Sequence, residues 1–330
     1  MNTSVNQSWH LAARPNGFPK LTDFELRQSP IPSPDSGQVL IASRYHSLDP
    51  YMRLRLNSAD SLVGTLMVGD AVGEVIESRA ADFVVGDIAM GNIGWQEYGV
   101  VDAGQLRKID PSIAPISTSL GILGMPGLTA YFGLYEVGRP IAGDTVVVSA
   151  ASGAVGAVVG QLAKLSGCRV IGIAGTDEKI NYVVDELGFD AGLNYKIEDI
   201  PTKLEALCPN GIDIYWDNVG GELADAAIEK IASGGRVVIC GQITQYNATS
   251  PSLGPRIPHI LLSRQARMEG FWVGQFENRN SHALNRLSHW VHDNELKYKE
   301  DVVVGIENSP AAFIGLLNGT NLGKLIVQLK

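Results

Sequence analysis

Two patterns of apolar and polar residues divide this chain. Up to about residue 127, short apolar or alternating runs, such as 38–43, 71–77, 88–90 and 97–101, are separated by clusters of glycine, proline and aspartate. Runs of this length between turn residues are typical of strands. The first part of the chain is therefore predicted to be a β-rich domain.

After residue 127 the pattern changes to an alternation of apolar strands with helical stretches. The predicted strands cover 145–149, 169–174, 212–216, 236–240 and 267–273, and the predicted helices cover 156–166, 177–187, 222–232 and 279–294. This alternation predicts an α/β domain with a doubly wound parallel sheet of the Rossmann type. Strand character returns at 298–306 and 325–329, so we expect the tail to rejoin the β-rich domain. The predicted domains are 1–127, 128–297 and 298–330.

Composition narrows the class of protein. The 330 residues include 26 Lys and Arg against 35 Asp and Glu, a net charge of −9, and this acidic balance predicts no nucleic-acid partner. The N-terminus lacks a basic and an apolar signal segment, and three scattered cysteines fit a reducing compartment, so a cytoplasmic location is predicted. The uncharged stretches 113–135 and 145–163 contain several glycines and prolines, so we expect buried structure there and no membrane partner.

The turn that follows the strand 145–149 carries the clearest chemical signal. It reads Ala150-Ala-Ser-Gly153-Ala-Val-Gly156 and leads into a helix. Gly153 and Gly156 match the second and third glycines of a dinucleotide fingerprint, with Ala151 in place of the first. Such a turn lets a pyrophosphate approach the backbone N–H groups and the positive end of the helix. The sequence thus predicts a dinucleotide site.

The end of the next strand indicates which dinucleotide binds. An NAD-preferring fold places a carboxylate on the ribose here, whereas this chain has Gly175 and Thr176, followed by Asp177, Glu178 and Lys179. Lys179 can offer a positive charge to a 2′-phosphate, which favours NADP(H). The carboxylates of Asp177 and Glu178 have two interpretations, as charges that complement the helix dipole or as ribose ligands.

Several stretches, in order along the chain, resemble one known family. This is the zinc-independent medium-chain dehydrogenase/reductases, in the group of prostaglandin reductase, leukotriene B4 dehydrogenase and 2-alkenal (double-bond) reductase. Among the matching stretches are Ser47-Leu-Asp-Pro-Tyr-Met-Arg53, Leu123-Gly-Met-Pro-Gly-Leu-Thr-Ala-Tyr131, Asp217-Asn-Val-Gly-Gly-Glu222 and Asn321-Leu-Gly-Lys324. The resemblance implies a GroES-like substrate domain, a Rossmann domain, bound NADP(H) and a homodimer.

The resemblance also implies the role of individual residues. It places the pyrophosphate on Gly153, Ala154, Val155 and Gly156, and the 2′-phosphate beside Gly175, Lys179 and Tyr195. The residues that it implies for the remainder of the cofactor are Met125, Thr129, Asn218, Cys240, Gly241, Gln242, Ile243, Tyr246, Phe271, Trp272, Val273 and Asn321.

The implied reaction is NADPH-dependent reduction of the C=C bond of an α,β-unsaturated ketone or aldehyde. Hydride goes to the β-carbon, and the resulting enolate is then protonated. Tyr51 is the candidate catalytic donor to the developing oxygen charge, with the cofactor ribose positioned by Tyr246 as a rival and an ordinary part-buried aromatic as the alternative. Many eukaryotic members carry a tyrosine where this chain has Leu261-Leu-Ser263-Arg264, so the physiological substrate is left open.

Two other functions remain open, an NADPH:quinone oxidoreductase on the same fold and a non-catalytic NADPH-binding protein. A zinc site is not predicted, because no cysteine precedes Cys168. His282, His289 and His292 share one helical face, but no carboxylate or cysteine accompanies them at matching spacing, which favours a solvated face over a metal site.

Overall fold

The computed structural model describes residues 5–59 and 61–329 and divides into two compact units. One unit, here called the β-rich unit, comprises Met1–Gly121 and Glu300–Lys330, and the other, the α/β unit, comprises Ile122–Lys299. The sequence placed the divisions slightly differently, after residues 127 and 297. The helix that begins at Met125 accounts for the first difference, because it packs within the α/β unit.

The β-rich unit is built mainly from antiparallel strands. In chain order its first part contains β1 (Val5–Leu11), β2 (Phe24–Pro30), β3 (Gln38–Ser47), the short helix α1 (Met52–Leu56), β4 (Ala71–Ser78), β5 (Ile88–Gly91), β6 (Tyr98–Asp102) and β7 (Arg107–Ile109). Strands β1 and β2 form a separate hairpin pair, and β3 pairs with both β4 and β6. Alternate residues of β3 and β4, including Val39, Ile41 and Val75, are fully buried in one core.

The α/β unit contains a six-stranded parallel sheet. Its strands are β8 (Thr145–Ser149), β9 (Arg169–Ala174), β10 (Ala191–Asn194), β11 (Ile212–Asp217), β12 (Ile231–Ile239) and β13 (Arg267–Gly270). Their order is β10-β9-β8-β11-β12-β13, which is the doubly wound Rossmann order. The predicted fold class is confirmed. The β-branched run of β8 suits a strand buried on both faces.

Helices cover the faces of this sheet. They are α2 (Met125–Phe132), α3 (Gly156–Leu165), α4 (Asp177–Asn181), α5 (Ile200–Leu207), α6 (Gly221–Glu229), α7 (Ile257–Arg264) and α8 (Asn280–His292). Glycines on α3 and β9 make room for the ring of Phe189. A Cβ at Gly160 would overlap the Phe189 ring, and one at Gly172 would lie 2.9 Å from the same side chain.

Three predicted elements end elsewhere in the structure. The helix predicted over 222–232 stops at Glu229, because β12 begins at Ile231 and runs through a left-handed Gly234. The strand predicted over 267–273 stops at Gly270. The helix predicted over 177–187 is α-helical only to Asn181 and continues as a π-helical turn over Tyr182–Glu186.

The chain then returns to the β-rich unit as β14 (Glu300–Val304), α9 (Ser309–Leu317) and β15 (Lys324–Gln328). β15 lies between β14, to which it is parallel, and β3, to which it is antiparallel. The last strand in the chain is thus an interior strand of the seven-stranded sheet. Among the described residues, no helix is long and apolar enough to cross a membrane.

Candidate functional site

The switch point of the parallel sheet lies between β8 and β11, where the strand order reverses. Both strands end there in polar residues, Ser149 and Asp217, which are fully buried. The Asn218 backbone N–H donates to Ser149 Oγ at 2.9 Å, and its amide donates to the Ser149 carbonyl at 2.7 Å. In open α/β sheets, ligands bind outside the carboxyl ends of the strands at this point. Asn218 is therefore fixed at the edge where a ligand is expected.

The glycine turn after β8 has the geometry of a phosphate cradle. A Cβ at Gly156 would overlap the Ala150 carbonyl oxygen and lie 3.0 Å from Ala151 Cα, and one at Gly153 would lie 3.3 Å from the same carbonyl oxygen. Ala150 itself has a positive φ of 49°. Helix α3 begins at Gly156, so its first backbone N–H groups face this turn. A dinucleotide pyrophosphate fits such a turn.

A second small-residue pocket follows β9. A Cβ at Gly175 would lie 3.0 Å from Tyr195 Cε1, 3.1 Å from Tyr195 Oη and 3.2 Å from Lys196 Cε. Lys179 is partly buried in the first turn of α4, where its N–H donates to the capping Thr176 hydroxyl at 3.3 Å. The structure thus brings a second cation, Lys196, to this pocket. Sequence reasoning missed it as a site residue because it lies in an irregular segment after β10.

The surroundings of Asp177 and Glu178, the two acidic residues at the start of α4, favour one of their two interpretations. Asp177 accepts a hydrogen bond of 2.7 Å from the Asn194 amide, and Thr176 caps the helix. Asp177 and Glu178 also lie in the first turn, where negative charge stabilises a helix. These contacts favour the interpretation of the carboxylates as helix charges.

Asp217 organises the next part of the site. One of its carboxylate oxygens accepts from the Val219 and Gly220 N–H groups at 3.0 and 2.9 Å, and the other accepts from the Gln242 amide at 2.6 Å. The backbone N–H groups of Cys240 and Gly241 donate to the Asp217 carbonyl at 2.9 and 3.0 Å. Sequence reasoning did not single out Asp217, although it stands beside Asn218.

The loop from Cys240 to Tyr246 is held by these contacts. The Gln242 N–H donates to Tyr246 Oη at 3.4 Å, and a Cβ at Gly241 would lie 3.3 Å from that oxygen. Ile243 begins a short 3-10 turn, and its N–H donates to Asn218 O at 3.4 Å. Burial raises the pKa of the Cys240 thiol to about 12, so this cysteine is a neutral wall residue.

The remaining predicted residues of the α/β unit lie in two groups. Thr129, on α2, donates from its hydroxyl to the Met125 carbonyl at 2.8 Å and is 8% exposed. Phe271, Trp272 and Val273 follow β13 instead of belonging to it. The Phe271 ring packs edge-on against the Trp216 ring at 5.9 Å, whereas Trp272 is exposed.

Tyr51 and Asn321, the last two predicted site residues, belong to the β-rich unit. Tyr51 immediately precedes α1, and burial, with Asp49 and Asp70 nearby, raises the pKa of its phenol. A phenol with a raised pKa keeps its proton and can donate a hydrogen bond at neutral pH. The Asn321 amide donates to the Gly323 carbonyl at 2.8 Å, which shapes the turn before β15.

No group of three or more His, Cys, Asp or Glu suited to a metal ion occurs among residues 5–59 and 61–329. Two of the three histidines on α8 have other contacts. His289 Nδ1 lies 2.7 Å from the Asn285 carbonyl, and His292 pairs with the neighbouring Asp293 at 3.0 Å.

Two family models match the chain, the N-terminal domain of oxidoreductase over residues 7–109 and zinc-binding dehydrogenase over residues 154–289. The chain is 41% identical to NADPH-dependent curcumin reductase of Escherichia coli (strain K12), covering 98% of this chain and 97% of the relative. It is 42% identical to prostaglandin reductase 1 of Rattus norvegicus, covering 98% of each.

A solved structure agrees with this assignment. CurA from Vibrio vulnificus, in complex with NADPH, matches with a TM-score of 0.93 and 44% identity, covering 98% of this chain and 99% of that one. The order of the sheet, the glycine turn after β8 and these similarities agree with one another. The chain belongs to the zinc-independent medium-chain dehydrogenase/reductases, in the group that includes prostaglandin reductase and NADPH-dependent curcumin reductase.

Proposed function

We propose that this protein reduces the C=C bond of α,β-unsaturated ketones and aldehydes with NADPH. The observation that carries the proposal is the polar, glycine-lined edge formed by the carboxyl ends of the parallel strands. The chain that carries this edge is 41% identical to an NADPH-dependent curcumin reductase and 44% identical to CurA, which was solved with NADPH. The relatives include proteins named NADPH-dependent curcumin reductase, prostaglandin reductase 1 and 2-alkenal reductase (NADP(+)-dependent). We assign the role of the GroES-like substrate domain to the β-rich unit.

The α/β unit would hold the cofactor along this edge. The backbone of Gly153, Ala154, Val155 and Gly156 would hold the pyrophosphate, since Gly153 and Gly156 have no side chains to keep it away from the start of α3. Asn218 and the loop from Cys240 to Tyr246 line the adjoining strand ends. Their positions are fixed by the hydrogen bonds to Ser149 and Asp217.

Preference for NADPH over NADH is assigned to the pocket at Gly175. Tyr195 and Lys196 lie beside Gly175, which has no side chain, and Lys179 follows it in α4. Together they offer a hydroxyl and two positive charges. A doubly charged 2′-phosphate gains charge-assisted hydrogen bonds there, whereas the 2′-hydroxyl of NADH does not.

Bound NADPH supplies a hydride to the β-carbon of the substrate. We assign Met125, Thr129, Phe271, Trp272, Val273 and Asn321 to the residues around the reacting end. The Tyr51 phenol, whose pKa is raised by burial, is protonated at neutral pH and can donate a hydrogen bond to the carbonyl oxygen as negative charge develops there. The enolate is then protonated at its α-carbon, by the Tyr51 phenol or by water, so that hydride and proton together give the saturated carbonyl compound and NADP+.

The proposal is tested with purified protein, NADPH and a panel of enones, enals and quinones. We expect the absorbance of reduced nicotinamide to fall with enones and enals, and NADPH deuterated at the transferred position to label the β-carbon of the product. The saturated ketone of the same skeleton is the matched control. Turnover of quinones alone would favour the quinone oxidoreductase, and no turnover with any compound would favour a protein that only binds NADPH.

We also propose a homodimer formed through the α/β unit. β13 is the terminal strand of its sheet, and three of its four residues are exposed in the single chain. The neighbouring helix α7 has no fully buried residue, and Leu262 on it is 80% exposed. Pairing of two copies would cover this edge. Leu262→Glu should convert a dimer to a monomer in analytical ultracentrifugation, and a wild-type monomer would refute the proposal.

A cytoplasmic location is proposed on the state of the cysteines. Cys168, Cys208 and Cys240 are all free thiols, as expected in a reducing compartment. Fractionation of cells that express the protein tests this proposal.

A further inference from the structure

A buried ion pair connects two of the sequence stretches that resemble the family. Lys324 Nζ lies 2.7 Å from Asp49 Oδ1 and 2.8 Å from the Leu48 carbonyl oxygen. The two charged side chains are 5% and 8% exposed. Ser47 Oγ donates to the other carboxylate oxygen of Asp49, so both of its oxygens are held. Residues 275 positions apart in sequence therefore meet in the interior of the β-rich unit.

The ion pair fixes the turn from which Tyr51 projects. The Leu48 N–H donates to the Leu325 carbonyl at 3.3 Å, so this turn is bound to β15 by its backbone as well. The Met52 N–H donates to the Asp49 carbonyl at 3.1 Å, and the Leu54 N–H donates to the Tyr51 carbonyl at 3.0 Å. Tyr51 thus stands between the anchored Asp49 and the first turn of α1.

Lys324 is also paired with one of the carboxylates that act on the phenol. Asp49 and Asp70 both act on Tyr51, and the Lys324 ammonium is the cation paired with Asp49. Without that ammonium, Asp49 would be a buried carboxylate with no cation at hydrogen-bond distance in the described structure. Such a charge either takes up a proton or moves toward water, and either change shifts the turn.

Stability alone does not account for a charged pair at this place. Replacing a buried ion pair with apolar residues of similar volume is often neutral or stabilising in proteins. Catalysis requires a reacting side chain to be held within about half an ångström of its productive position. Holding Tyr51 in this way is a use for the ion pair that stability does not provide.

We propose that Lys324 and Asp49 are positioning residues for Tyr51, and that Lys324 acts on turnover through that phenol. This inference rests on the proposed reduction of enones and on the donor role of Tyr51. It assigns a role to Lys324, the last residue of the Asn321-Leu-Gly-Lys324 stretch.

The test is a double-mutant cycle of Lys324→Met and Tyr51→Phe, with kcat for an enone, the solvent deuterium isotope effect and the Kd of NADPH as readouts. Lys324→Met keeps the apolar stem and removes the ammonium. We expect each single change to lower kcat about tenfold or more, and the double variant to lie within about twofold of Tyr51→Phe alone. The Kd of NADPH should be unchanged in all three.

A buried ion pair in the α/β unit provides the matched control. Arg236 pairs with Asp144, and their side chains are 13% and 14% exposed. Arg236→Met should lower the melting temperature, and any effect that it has on kcat should multiply with that of Tyr51→Phe. Lys324→Arg, which restores the charge, should recover part of the rate lost in Lys324→Met.

Three results would overturn the inference. The first is that Lys324→Met has the same kcat as the wild type. The second is that the reductions of kcat caused by Lys324→Met and by Tyr51→Phe multiply in the double variant. The third is that Tyr51→Phe leaves kcat unchanged. In the last case the wild-type protein would still reduce enones, so the proposed function would stand. If Lys324→Met does not fold, the same cycle is run with Asp49→Asn, which preserves the shape of the turn and an acceptor for the ammonium.

Discussion

Acid sensitivity of the β-rich unit should depend on one histidine. His46, on β3, is fully buried, and its ring stacks on the Trp95 indole with centroids 5.7 Å apart and an interplanar angle of 8°. His46 Nε2 lies 3.0 Å from Ser309 Oγ, which itself donates to the Ile306 carbonyl at 2.7 Å. The hydroxyl therefore accepts from the imidazole, which is neutral with its proton on Nε2. Burial, with a smaller contribution from Lys324, lowers the pKa of His46 to about 3.

The magnitude follows from the two pKa values. In the unfolded chain the imidazole has a pKa of about 6.5, so between pH 6.5 and 3 the unfolded state binds more protons than the folded one. The free energy of unfolding therefore falls as the pH falls through this window. From pH 7.5 to pH 5 the loss attributable to His46 is about 2 kcal/mol.

The perturbation is His46→Gln, which keeps an N–H donor for Ser309 and cannot become charged in this range. Urea unfolding of wild type and variant, followed by tryptophan fluorescence at pH 7.5 and pH 5, gives the loss on acidification for each. The wild type should lose about 2 kcal/mol more than the variant, whatever their difference at pH 7.5. His282→Gln, a change of an exposed histidine on α8, is the control. Equal losses in wild type and His46→Gln would refute the neutral, buried imidazole.

Four further changes test other parts of the structure. Lys179→Ala should raise the Kd of NADPH about tenfold, with little change for NADH, in fluorescence titrations, and equal changes would contradict its contact with the phosphate. Tyr51→Phe should lower kcat about tenfold or more without changing the Kd of NADPH, and an unchanged kcat would move the donor role elsewhere. Asp70 has its pKa raised to about 6, first by burial and then by Asp49, so its charged form destabilises the fold as pH rises from about 4 through 6. Asp70→Asn should therefore raise the free energy of unfolding at pH 7.5 by up to about 3 kcal/mol, a gain absent below pH 4, and no gain would refute the buried charge. Gly156→Ala should lower the melting temperature and abolish NADPH binding, since its Cβ would overlap a backbone oxygen of the turn, and normal binding would exclude this turn as the cradle.

Local sequence predicted the α/β unit well where a strand is strongly β-branched or a turn rich in glycine. β8 and β9 have the predicted bounds, and α3 begins at the predicted Gly156. In contrast, β10 reads Ala-Gly-Leu-Asn, a composition with low strand propensity, and it is a strand because it pairs in parallel with β9. Because the sequence did not predict β10, it also did not place Lys196 beside Gly175.

The candidate site was predictable to the extent that each residue lies in a local motif. Asn218 was predictable because it follows a strand that the sequence identified. The role of the Asp217 side chain was not, because it depends on the loop that folds back onto it. The contact between Lys324 and Asp49 depends on β15 pairing beside β3, a long-range arrangement for which one sequence carries no local signal.

The interior position of β15 has a consequence for synthesis on the ribosome. The β-rich unit is discontinuous, and its sheet is complete only when residues 324–328 have left the exit tunnel and paired with β3. The α/β unit is a continuous segment, from Ile122 to Lys299, whose six strands have all emerged before then. During translation the nucleotide-binding half can thus fold while the Tyr45–Ser47 end of β3 still lacks β15 as its partner. The Gln38–Ala42 part of β3 pairs with β6, so it is the other end that is exposed to chaperones or to misplaced strands until residues 324–328 arrive.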